Sequence, residues 1–307
     1  MFNQLPHNDD LRVFGVVVRQ ASFAAAATEL GASPAYVSKR IRILEQQLGA
    51  RLLHRTTRAV QMTEDGERVY RWAQRILDDL DEMAQELGGN RAQVRGALRV
   101  CSSFGLGRLQ VAPALAALSG EQAALQFKLE LFDRLVDVAA EGFDLDVRVG
   151  DDIAPHLIAR KLADNHRVLC AAPAYLARCG TPAHLDALAH HDCLVIKERD
   201  HPVGVWRLQQ QGRERVLKVQ GPLSTNHGEV ALDWALQGKG ILLRSVWQVA
   251  PLLTSGALVQ VLPDVRQQAN IWAVYPVRLE QSAKLRVTVA WLQRWFGTAP
   301  PGAQGQR

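Results

Sequence analysis

Two helix-start signals eleven residues apart, each followed by a glycine stop, constrain residues 21–66 more tightly than any other stretch of the chain. Ser22 stands where an N-cap belongs, ahead of an alanine-rich run over 24–30 of high helix propensity, and Gly31 follows as a stop. Ser33 is a second N-cap, with Pro34 at the first helical position, where a missing N–H costs nothing. Val37, Ile41, Leu44 and Leu48 then recur at spacings of four, three and four, one apolar stripe closed by Gly49. Two short helices joined by a glycine-containing turn, then a basic segment over 54–58, make the layout of a helix-turn-helix with a wing.

Charge supports a nucleic-acid partner. Between positions 36 and 60 stand Lys39, Arg40, Arg42, Arg51, Arg55 and Arg58 against Glu45 alone, a net +5 that equals the formal charge of the whole chain. Basicity is therefore concentrated where phosphates would lie. The polar face of the second helix carries Ala35, Tyr36, Ser38, Lys39 and Arg42, which are small, hydrogen-bonding or cationic groups near its N-terminal half. That half is the part that enters a major groove. A plain helical hairpin with a solvated basic face is the bland alternative, and it leaves the charge concentration unexplained.

These residues resemble the N-terminal domain of LysR-type transcriptional regulators. The resemblance rests on Ser22-Phe23, Ala24 to Ala27, Leu30-Gly31, Ser33-Pro34, Val37-Ser38, Ile41, Leu44-Glu45, Leu48-Gly49, Leu52-Leu53, Arg55, Arg58 and Thr63 to Gly66, and it continues to about Phe296. It implies that Ser33, Pro34, Ala35, Tyr36, Ser38 and Lys39 meet DNA, with Arg42 on bases or phosphate. It also implies that Arg55 and Arg58 act from the wing. Tyr36 is bulkier than the residue many relatives carry.

Composition sets the outer bounds. The 307 residues suffice for two or three domains, and 48% apolar content is a globular value. No apolar run approaches 18 residues, and the first residues lack a basic n-region followed by an apolar core. A cytoplasmic protein with no membrane association is expected. Cys101, Cys170, Cys179 and Cys193 fit no zinc spacing and form no C-x-x-C. Cys101 and Cys170 read as small core residues, with oxidant sensing the alternative. No metal, cofactor or catalytic residue is read from the chain.

Thr63 is a fair N-cap for a long helix, with Glu64, Asp65 and Glu67 in its first turn. Val69, Ala73, Ile76, Leu80, Met83 and Leu87 recur at four, three, four, three, four, a heptad seam. About 25 helical residues span roughly 37 Å. The stripe either packs on its own domain or pairs with a second subunit. The LysR resemblance favours pairing into a homodimer or homotetramer, which would place two recognition helices on two half-sites.

Beyond residue 92 strand-like and helix-like runs alternate. Strands are read at 98–101, 127–131, 145–149, 167–171, 193–196, 241–243, 258–262 and 271–275. Helices are read at 105–118, 135–141, 173–178, 230–237, 245–254 and 281–296. The alternation predicts parallel α/β sheets. The resemblance adds two subdomains, like those of a type 2 periplasmic binding protein. The expected fold is thus α plus α/β: a winged helix-turn-helix over 1–63, a linker helix and hinge over 64–91, and an effector domain over 92–297. In that domain subdomain I would take about 92–163 and 270–297, and subdomain II 164–269. A disordered tail would cover 298–307.

Open α/β sheets bind ligands beyond the carboxyl ends of strands. Ser102, Ser103 and Phe104 sit where the first strand hands over to a helix, and their N–H and hydroxyl groups suit an anion. Arg148 ends the third strand, where it either grips a ligand carboxylate or is neutralised by Asp146 or Asp151. His201, Pro202, Asn226 and His227 match family pocket positions. Gly105-Leu-Gly107-Arg-Leu-Gln110 lacks the third glycine of a dinucleotide fingerprint, so no nucleotide site is read there. The blocks at 190–206 and 224–234, with Tyr36 to Arg40, resemble the LysR branch that controls use of small hydroxy-dicarboxylates such as D-malate or tartrate.

The expected function is ligand-responsive regulation of transcription. The partners are double-stranded promoter DNA, a small organic acid and a second copy of the chain, with RNA polymerase a further candidate. A solute-binding protein would need neither the basic head nor its capped helices. An enzyme with a fused DNA-binding head would need a motif such as G-x-S-x-G, H-E-x-x-H or a P-loop, and none is found. A nonspecific DNA-packaging protein would not need a large α/β cleft domain.

Overall fold

The computed structural model describes residues 5–55, 60–87, 94–197 and 202–298. The chain divides into two compact units, Met1–Gln93 and Val94–Arg307.

In the first unit three helices surround one core: α1 (Asn8–Gln20), α2 (Phe23–Glu29) and α3 (Pro34–Leu48). Strands β1 (Leu53–Arg55) and β2 (Val60–Met62) form an antiparallel wing, and α4 (Glu64–Leu87) follows. The capping residues act as their chemistry predicts. The Ser22 hydroxyl accepts from the Ala25 N–H at 3.3 Å, Ser33 from Tyr36 N–H at 3.2 Å, and Thr63 from Gly66 N–H at 2.9 Å. Gly31 and Gly49 adopt φ of +61° and +65°, which L side chains rarely take. Sequence reasoning missed α1. It buries Leu11, Val13, Phe14, Val16 and Val17, so the stripe of α3 packs on a third helix and not on α2 alone. Val37, Ile41 and Leu44 are buried as the stripe requires; Leu48 is 37% exposed, because the last turn of α3 runs past the edge of this core.

The second unit contains two sheets. The first has the order β4-β3-β5-β15-β6, built from β3 (Gly96–Ser102), β4 (Leu125–Leu131), β5 (Leu145–Val149), β6 (Ile158–Ala163) and, from far along the chain, β15 (Ile271–Tyr275). Between β3 and β4 runs one helical stretch: α5 (Phe104–Leu106), a π-helical turn (Gly107–Val111) and α6 (Ala112–Glu121). The widened turn precedes Pro113, which has no N–H to continue the ladder.

The second sheet comprises β7 (His166–Ala171), β8 (Cys193–Ile196), β9 (Val205–Gln210), β10 (Arg213–Lys218), β11 (Ser224–Thr225), β12 (Ile241–Ser245), β13 (Val259–Val261) and β14 (Val265–Gln268). Helices α7 (Pro173–Cys179), α8 (Gly228–Leu236) and α9 (Val246–Thr254) lie between its strands, and α10 (Ala283–Gly297) closes the described chain. The chain passes between the sheets twice, at 163–166 and 268–271. There the Asn165 side-chain N–H donates to the Ala269 carbonyl at 2.6 Å, and Asn270 accepts from Gln268 at 2.8 Å.

Two expectations for this unit are corrected. The sheets are mixed. Among the described residues, β3 with β4 and β5, and β8 with β11 and β12, pair in parallel, while β15 and β7 run against their neighbours. Strands that flank a crossing enter from the opposite end of the sheet, which reverses them. Residues 135–141 form turns and no helix. Val136 and Val138 are both buried beside Phe143, a two-residue alternation no helix face can satisfy. Glu141 meanwhile accepts from Arg134 Nη1 at 2.7 Å and from the Asp137 N–H at 3.1 Å. The expected tail falls outside the described residues from 299 onward.

Candidate DNA-reading surface and ligand cleft

Helix α3 presents a continuous outer face. Ser33, Pro34, Ala35, Tyr36, Lys39 and Arg42 are exposed and Ser38 is half-buried, while the opposite face fills the core. Arg40 separates from this group. It forms an ion pair, without hydrogen-bond alignment, with the fully buried Asp10 of α1, so it braces the fold although it counts in the basic footprint. Glu45, the lone acid of the segment, accepts from the N–H groups of Leu52 and Leu53 at 3.0 and 3.4 Å. Its carboxylate thereby seats the base of the wing. Arg51 is exposed there; Arg58 and the side chain of Arg55 lie outside what is described.

The heptad of α4 divides. Ala73 is fully buried in the core of its own unit and Val69 packs against it, as do Tyr70 and Leu77. The expectation that Ala73 lines a seam with a second subunit is therefore corrected: a helix that must cover α1 spends its first turns on that contact. The face left outside carries Trp72, 61% exposed, with Ile76, half-buried Leu80 and Met83. Their spacings of four, four and three make an apolar stripe that the sequence reading displaced by one position at its start. The Leu87 side chain is outside the described set.

In the second unit a cavity of about 500 Å³ lies between the two sheets, within the range of small-molecule sites. Ser103, Arg148, Pro202 and Asn226 line it. Ser102 does not. Its buried hydroxyl donates to the Val147 carbonyl at 2.6 Å, because strand alternation turns it into β3–β5 packing while Ser103 faces the cleft. Phe104 and His227 sit beside the cleft with ring centroids 4.9 Å apart. His201 is outside the described residues.

Of the alternatives for Arg148, the buried pair with Asp146 holds: Nε donates to the carboxylate at 2.7 Å, and Nη2 lies against the same oxygen. Asp151 is instead taken by Asn270 Nδ2 at 2.9 Å and Trp272 Nε1 at 2.6 Å, which ties the cleft to the crossing strands. Sequence reasoning missed four cations of the lining: Arg167 on β7, Lys197 just after β8, Arg207 on β9 and Arg244 on β12. Arg244 follows directly on the strand read at 241–243, so the carboxyl-end rule used for Ser102 and Arg148 could have found it. Burial pushes the thiols of Cys170 and Cys193 up to about 12, so neither is a thiolate at neutral pH.

Comparison with known proteins identifies both parts. Residues 8–67 match the bacterial regulatory helix-turn-helix of the lysR family, and residues 91–297 match the LysR substrate binding domain. The chain belongs to the LysR family. This LysR-family chain is a transcriptional regulator with a DNA-binding head. It is 56% identical over 299 residues to the HTH-type transcriptional regulator DmlR of Escherichia coli (strain K12), covering 97% of each chain. It is 46% identical over 308 residues to the transcriptional activator TtdR of the same strain, covering 99% of each. Among solved structures, this LysR regulator resembles the full-length virulence activator AphB of Vibrio cholerae (27% identity, TM-score 0.57, 93% of this chain and 98% of that one). It also resembles CrgA of Neisseria meningitidis (28% identity, TM-score 0.59, 94% and 98%). No described helix is long and apolar enough to cross a membrane.

Proposed function

We propose that the cleft binds a small hydroxy-dicarboxylate of the D-malate or tartrate type, and that its occupancy controls how paired helix-turn-helix heads engage promoter DNA in the bacterial cytoplasm. The observation that carries this reading is the cavity between the sheets, with Arg167 and Arg244 in its lining and Asp151 bonded to the crossing strand. A ligand acts only through its preference for one arrangement of the subdomains over the other. The reading assigns no catalysis to the cleft, in line with the regulators named above. RNA polymerase is the natural further partner of a regulator whose relative TtdR is an activator.

Three residues of the head are assigned to DNA: Lys39 and Arg42 to base edges or phosphates, Tyr36 to the groove wall. Lys39→Ala and Arg42→Ala each weaken specific promoter binding about 5- to 150-fold, the value of one good base contact of about 1–3 kcal/mol. Footprint titration checks this, and unchanged footprints would reverse the assigned orientation of α3.

Pairing is assigned to the outer stripe of α4. Ile76→Glu, made together with Trp72→Glu, dissociates the assembly, because four charges would face each other across a two-fold apolar seam. Light scattering reads the mass, and an assembly that survives both changes removes α4 as the pairing element.

A further inference from the structure

Asp151 stands two residues past the carboxyl end of β5, is exposed, and lines the cavity. The start of β15 holds it in place. Asn270 Nδ2 and Trp272 Nε1 both donate to its Oδ1, at 2.9 and 2.6 Å, and the N–H of the preceding Gly150 donates to the Asn270 carbonyl at 2.9 Å. Both side-chain donors are neutral, so neither cancels the charge of the carboxylate, and both meet the same oxygen. Oδ2 is left as an acceptor whose position is fixed by the bonds on its twin.

The two walls of the cleft differ in sign. Asp133, Asp137 and Asp152 line it beside Asp151, all from the segments that follow β4 and β5 of the first sheet. The four cations named above belong to strands of the second sheet or their ends. Three of them are already engaged: Arg167 donates to Gln267, Arg244 to Gln248, and Arg207 lies 3.7 Å from Glu214. The positive wall therefore acts through its summed field and not through any one arginine. On the first wall, Arg148 is neutralised by Asp146. An ionised carboxylate offers acceptors alone, whereas a hydroxyl also offers a donor. A hydroxy-dicarboxylate in this cleft has its carboxylates drawn to the second wall and repelled by the first. Its hydroxyl is the group that can donate to an aspartate.

We propose that Asp151 reads the hydroxyl of the effector. Its Oδ2 accepts from that hydroxyl, and the regulator thereby separates hydroxy-dicarboxylates from dicarboxylates of the same length without one. The inference rests on the reading of the cleft as a site for such acids, and it names the residue that makes the hydroxyl a requirement. Asp151 is a specificity-determining residue; Asn270 and Trp272 are positioning residues, because they act by holding Oδ1. An analogue without the hydroxyl is penalised twice, by a hydrogen bond left unmade and by repulsion from a carboxylate with no donor in front of it.

The test titrates the full chain by calorimetry with D-malate, L-tartrate and meso-tartrate, each against succinate, which has the same four carbons and no hydroxyl. The wild type binds at least one hydroxy acid more than about tenfold more tightly than succinate. Asp151→Asn keeps the shape and an oxygen for Asn270 and Trp272, and presents an amide N–H where Oδ2 stood. It weakens the hydroxy acid about 10- to 150-fold, the value of a hydrogen bond to a charged group, and leaves succinate unchanged or tighter because a negative charge is gone. A purely structural role would weaken both acids alike. Trp272→Phe removes one donor to Oδ1 and lowers the preference for the hydroxy acid in the same direction; it decides the matter if Asp151→Asn fails to fold. Two acids that weaken together in Asp151→Asn, a hydroxy-acid loss below tenfold there, or failing that variant an unchanged preference in Trp272→Phe, overturns the role of Asp151 and leaves the reading of the cleft standing. So does a wild type that binds succinate within tenfold of its best hydroxy acid. A wild type that binds none of the acids overturns both the inference and the reading beneath it.

Discussion

Arg40→Ala is expected to unfold the DNA-binding unit locally, although Arg40 sits on the recognition helix beside residues whose loss costs only binding. Asp10 is fully buried on α1, and Arg40, with 23% of its side chain exposed, is the ion-pair partner the structure gives it. Removing the cation leaves a carboxylate stranded in an apolar core of Val13, Phe14 and Val37, at a cost of about 3–5 kcal/mol. Exchange of the amides of α1 and α3 should then accelerate by about 100-fold or more, since each 1.4 kcal/mol is a factor of ten. Replacing both partners, Asp10→Leu with Arg40→Met, removes the stranded charge and restores most of the protection. Arg42→Ala, two residues on and exposed, leaves exchange unchanged. Hydrogen-exchange mass spectrometry on the full chain separates the cases. Unaltered protection in Arg40→Ala would mean that the buried pair contributes nothing to this fold.

The second large effect falls at Gly66. A Cβ there would lie 2.0 Å from the backbone carbonyl oxygen of Leu52, which cannot swing aside as a side chain could. That carbonyl accepts from the Thr63 N–H at 3.0 Å, while the Thr63 hydroxyl donates to the Arg51 carbonyl at 2.6 Å and accepts from the Gly66 N–H at 2.9 Å. Gly66→Ala therefore pushes the start of α4 away from the wing and breaks its cap. The combined cost is about 2–4 kcal/mol, from overpacking and a lost N-cap. Gly120→Ala, in α6 with open space around it, provides the contrast: it is neutral, or stabilises by up to about 1 kcal/mol. Chemical denaturation and promoter affinity are the measurements, and a Gly66→Ala chain that keeps both at wild-type values would contradict the packing of wing on α4.

The features legible beforehand share a short range. Ser22, Ser33, Pro34, Gly31, Gly49 and Thr63 each act on a backbone group within three or four residues, so their roles need no knowledge of the rest of the chain. Strands 193–196 and 271–275 were legible in full because they are apolar on both faces of a covered sheet, and 145–149 because Leu145, Val147 and Val149 alternate along one face. The hairpin of β9 and β10 was not. Its outer strand, Arg213–Lys218, is almost wholly exposed and polar, and its only signal is the turn at Gln211-Gly212, where both residues have positive φ. Helix α1 was passed over for a similar reason: it has no side-chain N-cap to announce it.

The candidate sites divide along the same line. The outer face of α3 follows from helical periodicity once the apolar face is known. The cleft does not. Ser102 and Ser103 are indistinguishable as neighbours in sequence, and only the pleat of β3 sends one to Val147 and the other into the cavity. Arg148 and Arg244 are both arginines at strand ends. A carboxylate two residues away claims the first, and the second lies over glycines 123 positions apart in the chain. The heptad of α4 divides for the same reason, since its pattern cannot show which turns α1 has already covered. The capped helices, the basic footprint and the family resemblance could be read without coordinates, because they depend on local backbone chemistry and on residue identity along the chain. Folding alone settled which side chains line the cleft and what each of them touches, because that depends on contacts between residues far apart in the chain.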